Sequence, residues 1–124
     1  MILNRLKQAT QTRHAALESR SILLDPSLSL SAYGNCLRRF FGYYAPLELV
    51  LLGANRWSDA GLATAAWQKV PLLAKDLLSL GDTPDQLAQV PRCQSLPDLS
   101  TTARVFGCLY VLEGATLGGQ IVTR

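Results

Sequence analysis

Apolar residues recur at steps of three and four along almost the whole chain, and this helical spacing limits most strongly how it can fold. The sequence has no run of alternating β-branched and polar residues, and no Asn-Gly or Asp-Gly pair of the kind that closes a hairpin. An all-α fold is therefore predicted. Because 124 residues, 48% of them hydrophobic, suffice for one core, we expect residues 1–124 to form a single multi-helix domain.

Charge and cysteine content exclude several other classes of protein. A net charge of +3 at this apolar content excludes an intrinsically disordered chain. Three widely spaced cysteines argue against a disulfide scaffold or a zinc finger. No apolar run reaches the roughly 18 residues that a membrane-spanning helix needs, and no nucleic-acid-binding motif is present. We therefore expect a soluble, cytoplasmic domain that binds neither membrane nor nucleic acid.

Residues that cap or break helices predict where the first two helices begin and end. The first is predicted over residues 2–19. Ser29 or Ser31 can cap the second, within which Pro46 predicts a kink or a break. Its predicted apolar face consists of Tyr33, Leu37, Phe40, Tyr44, Leu47 and Leu51.

The second half of the chain shows similar signals. A third helical stretch is predicted over about residues 62–80, interrupted near Val70-Pro71 and ended by Gly81 in a left-handed conformation. Asp82-Thr83-Pro84 then opens a turn or short helix, and Pro91 and Pro97 keep the chain extended as far as Ser100. Ser100 or Thr101 caps a last helix that runs to the end of the chain.

The last predicted helix contains four glycines, each of which costs about 1 kcal/mol relative to alanine inside a helix. Steps of seven and four place Gly107, Gly114 and Gly118 on one stripe with Val111. A helix face without side chains suits a close crossing with another helix, and it also suits a flat ligand that lies across the backbone. The spacing leaves both interpretations open.

His14 is the one histidine of the sequence and lies on the apolar stripe of the first helix. That stripe consists of Leu3, Leu6, Thr10, His14 and Leu17. Glu18 follows one turn later, so its carboxylate can reach and orient the imidazole. Lys7 lies two turns before His14, at the edge of the same face, where it can meet an anionic group. A core histidine with a routine His–Glu pair fits this pattern, and so does a single protein ligand to haem iron, because the porphyrin supplies the other four nitrogens.

Taken together, two segments resemble the haem oxygenase family. The run LKQATQTRH from Leu6 to His14, followed by Glu18, resembles the family's proximal helix. The run GATLGGQ from residue 114 to residue 120 resembles its distal helix. Residues 107–114 (GCLYVLEG) and 38–46 (RRFFGYYAP) are most similar to the bacterial branch associated with bacteriophytochromes. The resemblance covers nearly all of the chain and implies the haem oxygenase-like all-helical fold.

The resemblance also implies roles for the first helix. His14 would be the proximal ligand of haem iron, Glu18 its hydrogen-bond partner, and Lys7 a contact for a haem propionate. Haem would be both substrate and cofactor, cleaved to biliverdin, carbon monoxide and ferrous iron. The implied reaction uses dioxygen and electrons from an external donor, a ferredoxin or a reductase, and a bacteriophytochrome would accept the product.

On the last helix, the resemblance implies that Gly114 and Gly118 line the distal, catalytic side of the haem, with Gly119 beside them. One departure lies here. Many family members have an aspartate directly after the first distal glycine, where it organises waters that deliver a proton, whereas this sequence has Ala115. Glu113 is adjacent, but its direction on the helix does not match that role.

A second departure concerns length, because family chains continue for several helices beyond the distal one. The sequence stops within a helical run, so we expect either a truncated piece or a second copy of the chain covering the apolar face. Three functions follow. The two motifs favour a haem oxygenase. Ala115 and the missing C-terminal part favour a haem-binding module without turnover. Use of the glycines for helix contact would favour a haem-free helical interaction protein.

Overall fold

The computed structural model describes residues 1–21, 23, 25–53 and 67–122, with side chains as far as Gly114. Its helices, in chain order, are α1 (Ile2–Ser19), α2 (Leu30–Gly53), α3 (Val70–Ser79), α4 (Pro84–Gln89) and α5 (Thr102–Val122). No strand occurs in this described part of the chain, and the all-α prediction is confirmed. None of these helices is both long enough and apolar enough to cross a membrane within the residues described.

Polar side chains cap the helices where the sequence predicts them. The Ser29 hydroxyl accepts a hydrogen bond from the backbone N–H of Ala32, at 3.1 Å, and so caps α2. The Thr101 hydroxyl accepts one from the N–H of Arg104, at 3.2 Å, and caps α5. Gly81 has φ +106°, the left-handed conformation predicted after α3.

The long helix α2 forms the centre of the packing and contacts two separate apolar clusters. One joins Leu37 and Phe41 to Leu77 of α3 and Leu87 of α4. The other is built around Leu47 and contains the buried residues Leu51, Trp67, Val105, Leu109 and Leu112, the last three from α5. Together the two clusters hold α3, α4 and α5 against α2.

These clusters correct the apolar face predicted for α2. Phe40 is 40% exposed, whereas its neighbour Phe41 is 6% exposed and packs in the core. Leu37, Leu47 and Leu51 are buried as predicted. Because α2 packs against α3 and α4 near its start and against α5 near its end, its buried positions do not follow one straight stripe.

Pro46 does not break α2, which runs without interruption from Leu30 to Gly53. Proline has no N–H, so the carbonyl of Gly42, four residues earlier, loses its partner within the helix. That carbonyl instead accepts a hydrogen bond from the backbone N–H of Cys93, at 2.9 Å. Of the predicted kink or break, the break is therefore wrong, because a segment distant in sequence supplies the missing donor.

The third helical stretch is interrupted close to the predicted position. Residues 67–69 are not helical, and α3 begins at Val70, with Pro71 in its first turn. Residues 62–66 of the predicted stretch lie outside the described residues. The start of α3 is capped from α2: the buried carboxylate of Glu48 accepts hydrogen bonds from the backbone N–H groups of Lys69 and Val70.

Helix α1 differs from the others because none of its residues is buried. Leu6 is 52% exposed and Leu17 is 71% exposed, although both belong to its apolar stripe. A turn at Asp25, whose carboxylate accepts hydrogen bonds from the N–H and hydroxyl of Ser27, precedes α2. The apolar stripe of α1 is therefore available to a ligand or a partner.

Candidate functional site

His14 and Glu18 contact each other on the surface of α1. The Nδ1 atom of the imidazole lies 3.1 Å from Oε1 of Glu18, as expected for side chains four residues apart on a helix. A carboxylate at Nδ1 fixes the orientation of the ring. The Nε2 atom is therefore the nitrogen that is left to bind a metal.

Exposure excludes one of the two interpretations of this histidine. The His14 side chain is 73% exposed, so it is not a histidine of the packed core. Lys7, two turns earlier, is also exposed on α1. Among the described residues there is no group of three side chains that could hold a bare metal ion.

The described part of the glycine stripe lies on the side of α5 that faces away from the core. Val105, Leu109 and Leu112 bury one face of the helix. Gly107 and Gly114 lie about half a turn away from that face. A β-carbon built on either glycine would meet no described atom within 4 Å. No described helix therefore crosses closely at these two glycines. The surroundings of Gly118 and Gly119, farther along α5, lie outside the described residues.

An open cleft of about 380 Å³ lies beside Gly107. Its walls come from α2, from the extended segment before α5, and from α5 itself. They are formed by Tyr43, Pro97, Asp98, Leu99, Arg104, Gly107, Cys108, Val111 and Leu112. Sequence reasoning placed Gly107 and Val111 on one face but missed this cleft, because the extended segment that closes it approaches α2 only in the folded chain.

Burial sets the protonation of two groups in this cleft. Partial burial raises the pKa of the Tyr43 hydroxyl, and the nearby Cys108 and Cys93 thiols raise it further. Burial also raises the pKa of the Cys108 thiol. Both groups are therefore protonated at neutral pH, so Tyr43 can donate a hydrogen bond and Cys108 is a poor nucleophile. Arg104 and Asp98 form an ion pair at the rim.

Comparison with known proteins decides the family. The family model described as “Heme oxygenase” matches residues 1–124. The chain belongs to the haem oxygenase family. A curated relative, the heme oxygenase of Xanthomonas campestris pv. campestris (strain 8004), is 35% identical over 100 residues, which cover 78% of this chain and 54% of the relative. The chain therefore spans about half the length of that relative. No solved structure gives a significant match.

Membership of the haem oxygenase family confirms the resemblance drawn from the first and last helices. The position of the chain in the bacteriophytochrome-associated branch and its truncation stay predictions. The structure brings His14 and Glu18 together, and it leaves the described glycines of α5 uncovered. No atom of His14 lies within 4 Å of the β-carbon position of Gly114, and a haem site between these two helices stays a prediction.

Two observations show that the residues present are compatible with haem, the substrate of a haem oxygenase. One is the donor set, an imidazole whose Nδ1 is held by a carboxylate and whose Nε2 is free. The other is the absence of described atoms around the β-carbon positions of Gly107 and Gly114, which lets a flat ring approach the α5 backbone. A side chain at either position would occupy that space.

Proposed function

We propose that this chain binds haem between α1 and α5 and contributes to its oxidative cleavage to biliverdin, carbon monoxide and ferrous iron. The observation that carries the proposal is the 3.1 Å contact between His14 Nδ1 and Glu18 Oε1, which leaves Nε2 free in a member of the haem oxygenase family. When bound, haem supplies the redox-active iron and is itself the substrate.

In this proposal each wall of the site has a distinct task. On α1, His14 binds the iron through Nε2, Glu18 holds the imidazole in orientation, and Lys7 contacts a propionate. On α5, Gly114 and Gly118, with Gly119 beside them, leave space for dioxygen on the opposite side of the ring. An apolar wall without side chains would leave room for dioxygen beside the iron.

Further parts of the proposal concern the surroundings of the reaction. Electrons come from a ferredoxin or a reductase, a bacteriophytochrome is the acceptor of biliverdin, and the protein works in the cytoplasm as one domain. Its net charge of +3 suits association with an acidic electron donor. These assignments are supported by the family resemblance of the sequence.

Titration of the protein with haemin tests the binding step. The wild type should give a Soret band, and His14→Ala should shift or abolish it. Arg13→Ala, which removes a neighbouring exposed side chain of α1, is the matched control and should preserve the band. Absence of a Soret band in the wild type would overturn the proposal and favour a haem-free interaction protein.

Turnover is tested on the haem complex. After addition of a reductant and dioxygen, the absorbance of biliverdin should appear as the Soret band falls. A complex that reverts to its starting spectrum without biliverdin would instead support the second function, haem binding without turnover. Ala115 at the position of the family's aspartate favours that alternative.

A further inference from the structure

The open cleft beside Gly107 and the glycine face of α5 share residues. Gly107 and Val111 line the cleft, and helical spacing places the same two residues on the stripe that continues to Gly114. Val111 precedes Gly114 by three residues, which corresponds to about 4.5 Å along a helix axis. A flat ring that lies against Gly114 is therefore bordered by the cleft.

Polar groups of the cleft differ in what they can donate. Asp98 accepts a hydrogen bond from the backbone N–H of Ser100 at 2.9 Å and forms an ion pair with Arg104, so the two charges compensate each other at the rim. Cys108 also lines the cleft, but a thiol is a weak hydrogen-bond donor. The Tyr43 hydroxyl is therefore the strongest donor of the lining that is not part of an ion pair.

Packing holds the Tyr43 side chain and keeps its hydroxyl protonated. Its ring meets the ring of Tyr44 edge-on, with centroids 5.9 Å apart. Partial burial raises the pKa of the hydroxyl, and the nearby thiols of Cys108 and Cys93 raise it further. The hydroxyl therefore stays able to donate a hydrogen bond at neutral and mildly alkaline pH.

Residue 115 lies on the face of α5 that lines the cleft. It follows Arg104, Cys108 and Val111 by eleven, seven and four residues, and each of these steps returns to nearly the same side of a helix. The family resemblance implies an aspartate at this position, whereas alanine has no polar side-chain atom. The cleft lining offers Tyr43 of α2 as a replacement.

We propose that Tyr43 is a positioning residue for the reaction at the haem: its hydroxyl donates a hydrogen bond to water in the cleft and so orients that water toward the ring face at Gly114. This inference rests on the function proposed above. An open cleft of about 380 Å³ has room for water, and ordered water needs roughly two to four polar partners. Water that accepts from a protonated hydroxyl donates its own hydrogens onward to the ring.

The ferric haemin complex gives a readout that does not depend on turnover. Its absorbance changes from an acid to an alkaline form as the pH rises, and the alkaline form carries one more negative charge at the ring. Hydrogen-bond donation toward that charge favours the alkaline form. Tyr43→Phe keeps the ring and removes the donor, so the midpoint of the transition should rise by about 0.5–1 pH unit. The other titratable and charged groups around residue 43 stay unchanged in this variant; they are Tyr44, Cys93, Asp98, Arg104 and Cys108.

Tyr33→Phe is the matched control on the same helix. Tyr33 lies near the start of α2 and packs against the separate cluster of Leu37 and Phe41, so its variant should leave the midpoint unchanged. Haemin affinity should stay within about twofold of the wild type in both variants, and biliverdin formation should slow by about threefold or more in Tyr43→Phe alone.

The outcomes separate this inference from the proposed function. An unchanged midpoint in Tyr43→Phe with a normal Soret band would overturn the inference and leave the proposed function intact. Loss of the Soret band in Tyr43→Phe alone would also overturn it, because Tyr43 would then hold the haem instead of orienting water. If the wild type gives no Soret band, the proposed function itself fails.

Discussion

The carbonyl of Gly42 accepts a hydrogen bond from the backbone N–H of Cys93, 2.9 Å away, and this bond replaces the one that Pro46 cannot donate. The contact needs a glycine at residue 42. A β-carbon there would lie 2.3 Å from the carbonyl oxygen of Pro91, far inside van der Waals contact. Gly42 thus links two features: it compensates for Pro46 within α2, and it lets the extended segment at Pro91 pack closely against that helix.

Gly42→Ala should therefore destabilise the protein. The added methyl group must displace the backbone at Pro91 and weaken the bond from Cys93, with an expected loss of about 1–3 kcal/mol in the free energy of unfolding. Urea denaturation measures the loss. Gly34→Ala is the matched control in the same helix, because its β-carbon would meet the Arg38 guanidinium at an ordinary 3.6 Å. If the two variants are equally stable, the close approach at Gly42 carries no strain.

Glu48 should be essential to the start of α3. Its carboxylate is 4% exposed and accepts from the N–H groups of Lys69 and Val70. Glu48→Ala leaves both groups without this acceptor and should cost about 1–3 kcal/mol of unfolding free energy. Glu48→Gln, whose amide oxygen still accepts, should cost less. Thermal unfolding compares them with Glu113→Ala, an exposed control, and an equal effect in all three variants would contradict the capping role.

Arg38 and Asp82 tie α2 to the turn between α3 and α4. The Nε and Nη2 atoms of Arg38 donate to the two carboxylate oxygens at 2.7 and 2.6 Å. The Nη1 atom donates to the side-chain oxygen of Asn35 at 2.7 Å. This two-point contact lowers the pKa of Asp82 below its usual value.

The lowered pKa predicts how stability responds to acid. Above about pH 5, Asp82 is ionised in both states and its contribution to stability is complete. Below that, the unfolded carboxyl takes up a proton near its ordinary pKa of about 3.9, whereas the folded one resists. The contribution is lost as the pH falls through the folded pKa. Asp82→Asn should therefore flatten the acid side of a stability–pH profile measured by urea denaturation. The exposed Asp76→Asn is the control, and the same flattening in both would contradict the prediction.

Local signals gave most of the helix positions from sequence. The range 2–19 for α1, the caps at Ser29 and Thr101, and the left-handed Gly81 all match the structure. Each depends on residues within a few positions of one another, so the chemistry that determines it is visible in a short stretch of sequence.

Contacts between segments that are distant in sequence could not be predicted in this way. The continuity of α2 through Pro46 depends on Cys93, and the start of α3 depends on Glu48, more than twenty residues earlier. At the candidate site, the His14–Glu18 contact followed from helical spacing. The cleft beside Tyr43 did not, because its walls are distant in sequence. Sequence patterns thus predicted contacts between side chains of one helix. Contacts between different helices became visible only in the folded structure.

Gly114 offers the sharpest separation of ligand binding from folding. Leucine is a good helix former, and the β-carbon position at residue 114 meets no described atom within 4 Å. Gly114→Leu should therefore leave the thermal unfolding midpoint unchanged or slightly raised. The same side chain would fill the space proposed for the flat ring, so the haemin Soret band should be lost or the affinity reduced at least about tenfold. Unfolding by circular dichroism and haemin titration of one preparation measure both effects. A variant that unfolds while binding is retained would show that Gly114 serves helix packing, and the α5 wall of the proposed haem site would then be wrong.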